Sequence, residues 1–144
     1  MRRFAWMALL AAAWAVVPAA AERKIIQPEG YTQGYPFTPG ILIDGTLYIA
    51  GFSGEDPKTG KVPREFEAEV RQALDKIGTI LKAGGMGYED VVSVQVYLTD
   101  MSLFERMNAV YKTYFQEPRP TRTTVGVAKL IGPSRIEITA TARK

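Results

Sequence analysis

The stretch 135–142, "RIEITATA", alternates without a break: Ile136, Ile138, Ala140 and Ala142 interleave with Glu137, Thr139 and Thr141. A period of two marks a strand with one buried face, because successive side chains point to opposite sides of the pleat. "DVVSVQVYLTD" (90–100) repeats the pattern with a difference. Val92, Val94, Val96 and Leu98 make one face, but the other carries Val91 and Tyr97 among Ser93, Gln95 and Thr99. Strands of this kind need a layer over their apolar face and leave a second, half-apolar face for something else to cover.

Two amphipathic segments supply the layer. Over 64–83, Phe66, Val70, Ala73, Leu74, Ile77 and Leu81 recur at helical spacing, and Gly84-Gly85 stop the run. The charged run Arg64–Glu69 reads as a solvated helix face. Ser102 and Glu105 have capping-box spacing ahead of a helix to about Phe115, with Phe104, Met107, Tyr111, Tyr114 and Phe115 on one side. Pro118 and Pro120 close it. Residues 22–40 read as an extended lead-in. "ILIDGTLYIAG" (41–51) is a hairpin around Asp44-Gly45, the pair suited to a type I′ turn. Strands over about 122–129 and 135–143, joined by a loop at 131–134, complete a β-β-α-β-α-β-β order. That order predicts an α+β fold, a mixed or antiparallel sheet with both helices on one face.

The chain is divided before the fold begins. Arg2 and Arg3 precede an apolar, alanine-rich run from Phe4 to Val17, and Ala19-Ala20-Ala21 fits small-residue cleavage. Residues 1–21 are therefore expected to be a secretory signal peptide, with Sec and twin-arginine export both open, and 22–144 a single domain. The apolar run is shorter than the roughly 20 residues of a membrane span. The expected product is exported, periplasmic or secreted, with no membrane attachment after cleavage. The leader holds two of the 18 cations and no acid, so residues 22–144 carry 16 against 15, about +1. A nearly neutral chain lacks the electrostatic footprint of a nucleic-acid partner.

The chemistry is bounded by what is missing: the chain has no His and no Cys. That removes the cysteine nucleophile, the Ser-His-Asp triad, the usual nitrogen-and-sulfur zinc site and histidine-based RNA cleavage. Neither glycine-rich phosphate motif occurs. Arginine, carboxylates, hydroxyls, amides and water remain, a set suited to an already reactive substrate. Water attack on a C=N bond asks for positioning and modest proton transfer. An arginine can hold a carboxylate through two parallel hydrogen bonds. If Val125 and Val127 suit the core, Arg122, Thr124, Gly126 and Ala128 point away from the helices, and Glu137 shares that side. A half-apolar, helix-free face of this kind marks a subunit interface, with a site between chains. The bland alternatives are an exposed Arg122 paired with a neighbouring acid, Glu137 as that partner, and Asn108 as a solvent-facing helix residue.

Five segments in order resemble the RidA/YjgF (L-PSP) family of reactive-intermediate deaminases: "DPKTG" (56–60), "RQALDKIGTILKAGG" (71–85), the run 90–111, "PTRTT" (120–124) and "IEITATA" (136–142). The resemblance spans about residues 24–143. It implies a chorismate-mutase-like fold, a homotrimer with sites in inter-subunit clefts, and hydrolysis of 2-imino or 2-enamino acids to 2-keto acids and ammonia without cofactor or metal. By position, Arg122 matches the arginine that grips the substrate carboxylate, and Glu137 the glutamate that orders a water or the substrate nitrogen. Asn108 matches an asparagine of the second helix, and Gly51 a backbone amide lining the pocket. Thr124 stands where many members have Cys or Ser.

Two departures bear on the substrate. Phe37 occupies the place of a common Tyr, and Ala50 replaces a common Ser or Thr, so both remove a hydroxyl from the implied pocket. The "PFTPG" pattern (36–40) resembles the subgroup acting on aminoacrylate-type compounds in pyrimidine breakdown. The alternative function is a trimeric protein of the same form that binds small carboxylates without turnover. An RNA-cleaving role, a label the family has carried, conflicts with the missing His, the neutral charge and the leader.

Overall fold

The structure is a computed structural model that describes residues 21–31, 36–56 and 58–144. The expected leader, apart from Ala21, lies outside the described residues. Strands β1 (Lys24–Ile26), β2 (Gly40–Ile43), β3 (Thr46–Ser53), β4 (Val91–Leu98), β5 (Thr121–Gly126) and β6 (Ile136–Arg143) form one six-stranded sheet in the order β1-β2-β3-β6-β4-β5. Helix α1 (Phe66–Ala83) follows β3, and α2 (Phe104–Tyr114) follows β4. All neighbouring strands are antiparallel except β4 and β5, which run parallel, so the sheet is mixed as expected. The segment 22–40 departs from the sequence reading by contributing the edge strand β1, paired to β2 from Lys24 opposite Leu42 to Ile26 opposite Gly40. Among the described residues no helix is long and apolar enough to cross a membrane.

Local chemistry explains the elements. Asp44 (φ 47°) and Gly45 (φ 71°) both take positive φ, the conformation a type I′ hairpin requires. Helix α1 buries Phe66, Val70, Ala73, Leu74, Ile77 and Leu81 as its periodicity predicts, together with Ile80. At its C-terminus the Gly85 N–H donates to the Lys82 carbonyl and Met86 N–H to Leu81, with Gly85 in the left-handed region (φ 73°). The capping box expected from Ser102 and Glu105 does not form. The Asp100 carboxylate instead accepts from the Ser102 N–H at 2.8 Å, capping a 3-10 turn over Met101–Leu103 that leads into α2. Its shorter side chain reaches the donor two residues on, and the extra turn moves Ser102 away from the start of the α-helix.

The core lies between the helices and one sheet face. Leu47, Ile49, Val94, Val96, Leu98, Ile136, Ile138, Ala140 and Ala142 meet α1 and α2 there. Two facings differ from the sequence reading. A register shift between Val91 and Ser93 against β6 breaks the strict alternation. Val91 is therefore buried and Val92 is 48% exposed, the reverse of the expected placement. In β5, Val125 turns away from the helices and is exposed, whereas Arg122, Thr124 and Gly126 pair with Val94, Val96 and Leu98 on the helix side.

Glu69 is a further correction: its side chain is fully buried rather than solvated. Its carboxylate accepts from the Arg135 backbone N–H and from Arg135 Nε, both at 2.6 Å. Arg135 lies over the Phe66 ring (5.4 Å) and donates to the carbonyls of Pro63 and Arg64. Gly54 packs directly on Glu69; a Cβ there would sit 2.3 Å from its Cγ. The group ties the start of α1, the end of β3 and the approach to β6. Glu69 is fully buried, whereas Arg135 keeps a third of its side chain exposed. Glu69→Ala is expected to lose about 1–3 kcal/mol, the scale of charged hydrogen bonds lost, read as a lower urea midpoint at fixed protein concentration; a midpoint unchanged from wild type contradicts the role assigned to the pair.

Candidate active site

The seven residues singled out in the sequence fall into two groups, and the fold keeps them apart. Arg122 projects from β5 to the helix side. Its Nη2 donates to Asn108 Oδ1 at 2.8 Å, and Nη1 lies 3.9 Å from Met107 Sδ. The guanidinium stands over the Tyr111 ring at 4.5 Å and near the Phe104 ring at 5.7 Å. Planar stacking on aromatic faces and one amide bond fix its plane and leave further N–H donors for a ligand. A cavity of about 340 Å³ opens here, lined by Asn108, Tyr111, Lys112, Arg119, Pro120 and Arg122.

Two of the three buried side-chain oxygens without a hydrogen-bond partner among the described residues belong to this group: the Tyr111 hydroxyl and Thr124 Oγ1. Burial raises the Tyr111 phenol above its ordinary pKa, while the Arg122 and Arg119 charges pull the other way. The phenol is therefore a proton donor at neutral pH, without an acceptor among the described residues. A buried donor left unpaired is costly.

Glu137 belongs to the other group. It lies on the helix-free face, between buried Ile136 and Ile138 and opposite Tyr97 and Ser53 of the neighbouring strands. Its carboxylate rests directly against Gly51, where a Cβ would come within 2.3 Å of Oε1, so a larger residue there would displace the carboxylate. A cleft of about 430 Å³ surrounds it, lined by Phe37, Ala50, Gly51, Phe52, Ser53, Glu55, Lys76, Ile131 and Glu137. Lys76 reaches this cleft from α1 and donates to the carbonyls of Ser53 (2.9 Å) and Glu55. Desolvation lowers its pKa below the usual lysine value, against the raising influence of Glu55 and Asp56.

So the structure brings Arg122 together with Asn108 and Thr124, and Glu137 together with Gly51, Ala50 and Phe37. It does not bring Arg122 to Glu137. The expectation that both share the helix-free face is overturned: β5 pairs parallel to β4 with Arg122 beside Val94, which points under the helices. Valine content had suggested the opposite face, but β5 is an edge strand whose Val125 stays exposed. Lys76, Glu55 and Ile131 were not anticipated. Lys76 follows Ala73 by three and precedes Ile80 by four, so helical spacing does place it at the rim of the buried stripe.

A two-layer α+β domain with an arginine cavity on one side of its sheet and a glutamate cleft on the other defines the class. The family model described as Endoribonuclease L-PSP matches residues 31–144. A Mus musculus protein named 2-iminobutanoate/2-iminopropanoate deaminase is 44% identical over 108 residues, covering 74% of this chain and 80% of that protein. The crystal structure of the YjgF gene product from E. coli superimposes with a TM-score of 0.77 at 33% identity, over 84% of this chain and 98% of that one. That of E. coli TdcF with bound serine gives 0.73 at 28% identity, over 84% and 95%. The chain belongs to the L-PSP family, the RidA/YjgF proteins.

Asn108 holds the guanidinium through its side-chain oxygen. Asn108→Ala is expected to weaken binding of a small carboxylate such as pyruvate about tenfold, the scale of one hydrogen bond to a charged group. Titration calorimetry measures this; equal affinity in the variant removes Asn108 from the site.

Proposed function

We propose that the chain is a cofactor-independent deaminase that hydrolyses 2-imino and 2-enamino acids to 2-keto acids and ammonia, working as a homotrimer with each site shared by two chains. The observation that carries this reading is a pre-oriented arginine on one sheet face and a glutamate-lined cleft on the opposite face. Within one chain the sheet separates them. A second copy packed on the helix-free face can present its own Arg122 cavity to the first chain's Glu137 cleft. That face carries Ile25, Tyr48 and Val125, all exposed in the single chain, which a cyclic neighbour would cover. The relatives named as imine deaminases support the reaction.

The chemistry follows from the residues. Arg122 takes the substrate carboxylate through the N–H groups not engaged by Asn108, which fixes the C=N carbon. An enamine first takes a proton at carbon from water and gives one from nitrogen back to it, becoming the imine. Water then adds to the C=N carbon, Glu137 accepting its proton and passing one to nitrogen. The carbinolamine releases ammonia as the C–N bond breaks and the carbonyl forms. Each event needs positioning and one proton relay. The nuclease implied by the family's description finds no histidine in this chain to run it. A second reading, a trimer that binds small carboxylates without turnover, is favoured by the cleft around Phe37 and Ala50, neither of which offers a hydroxyl. Residues 1–21 are proposed as a cleaved export signal, placing the mature chain, from Glu22, outside the cytoplasm.

Two experiments test the reading. With imine generated in situ by an amino-acid oxidase, ammonia release should be accelerated by the protein. In Arg122→Ala, kcat/KM should fall roughly a hundredfold, the scale of about 3 kcal/mol. Carboxylate binding without acceleration selects the binding-protein reading. Co-refolding Arg122→Ala with Glu137→Gln at equal amounts should restore about a quarter of wild-type activity, because each mixed cyclic trimer contains one intact site. Failure to complement, with mixed trimers present, rejects the shared site.

A further inference from the structure

We infer that Tyr111, backed by Phe115, is a positioning residue for substrate binding: its ring face, not its hydroxyl, holds the Arg122 guanidinium in place for a carboxylate. This rests on the carboxylate-binding role given to Arg122 above, and it stands whether or not turnover follows. None of the ion pairs among the described residues includes Arg122. Its guanidinium donates to the Asn108 amide oxygen and makes a long contact with the Met107 sulfur. One amide bond leaves a guanidinium able to pivot about it. The Tyr111 ring stops the pivot. The guanidinium carbon stands 4.5 Å from the Tyr111 centroid, against 5.7 Å for Phe104, both inside the roughly 6 Å reach of a cation–π contact.

The platform is itself fixed by rings. Tyr111 is buried, and its hydroxyl finds no partner among the described residues, so no hydrogen bond of its own sets the ring. Phe115, also buried, lies against it with centroids 4.4 Å apart and planes tilted by 33°. Tyr88 meets Phe115 edge to face at 5.5 Å and meets Tyr114 in the same manner at 5.4 Å. Both outer tyrosines are tied to α1. The Tyr88 hydroxyl donates to the Leu74 carbonyl and the Tyr114 hydroxyl to Asp75 Oδ1, each at 2.8 Å. A row of rings therefore runs from α1 to the guanidinium, in the offset and edge-on arrangements that aromatic pairs prefer.

A buried tyrosine on a helix stripe is ordinarily packing. This one is set apart by the cation on its face, which no carboxylate among the described residues neutralises. A ring needs no hydroxyl to present that face. A buried phenol without an acceptor lowers stability, so phenylalanine should serve the role as well. Losing a partly desolvated cation–π contact is worth about tenfold in affinity. Because the contact is made in ground state and transition state alike, its loss should raise KM and leave kcat little changed.

The test begins on wild-type protein. In its proton NMR spectrum the Arg122 Nε–H resonance, assigned by its absence in Arg122→Lys, should lie upfield of exposed arginines through the ring current of Tyr111. A resonance at the ordinary position overturns the inference without any further variant. Tyr111→Leu should return that resonance to the ordinary position in the Arg122-containing protein and weaken pyruvate binding about tenfold by calorimetry. With imine generated in situ, the same variant should raise KM by a similar factor. Tyr111→Phe should rescue both the shift and the affinity. Phe115→Leu, which leaves Tyr111 intact, should move both readouts in the direction of Tyr111→Leu by a smaller factor. Folded Tyr111→Leu with wild-type affinity overturns the inference, and so does Tyr111→Phe as weak as Tyr111→Leu, which assigns the role to the hydroxyl. Pyruvate binding without turnover of any imine rejects the deaminase reading alone, while the affinities of the variants still decide this one. No carboxylate binding by wild-type protein overturns the two together.

Discussion

The parallel pairing of β5 with β4 decides which face of the sheet carries Arg122. Because Arg122 lies beside Val94, its side chain must go under the helix layer, where Tyr111, Phe104 and Asn108 receive it. Because β6 runs antiparallel between β3 and β4, Glu137 must emerge on the other face. A sheet is a wall about one residue thick that no side chain crosses. The separation of guanidinium from carboxylate is thus a property of register.

The rest of the structure holds these halves still. The Glu69–Arg135 pair joins the first turn of α1 to the residue just before β6, two positions from Glu137. Gly54 lies flat on Glu69, while Lys76 binds the carbonyls of Ser53 and Glu55. The carboxylate cleft is therefore built on strands and a helix braced against one another, the support a preorganised site needs. On the arginine side, stacking does the same work. A guanidinium between aromatic rings loses little rotamer freedom when a ligand arrives.

Much of this architecture was legible in the chain. The hairpin at Asp44-Gly45, the stripe of α1, the alternation of β6 and the order of the elements after β1 all follow from local rules. Turn conformation and apolar period are properties of a few adjacent residues. The misplacements share one cause. The facing of β5, the burial of Val91 instead of Val92 and the fate of Glu69 each depend on a partner far away in sequence. Valines in an edge strand read like valines in a core strand. A glutamate in a charged helix turn reads like its solvated neighbours until Arg135 arrives from 66 residues downstream.

The sequence by itself determined every element but the edge strand β1, the arginine and the carboxylate available for chemistry, and, through the absence of His and Cys, the reactions closed to this chain. Only the tertiary structure decided that Arg122 and Glu137 stand on opposite sides of one sheet, and that Lys76 and Ile131 line the cleft beside Glu137. The physical reason is the period of the β-strand: composition fixes that a strand has two faces, but the hydrogen-bond register with its neighbours fixes which face is which.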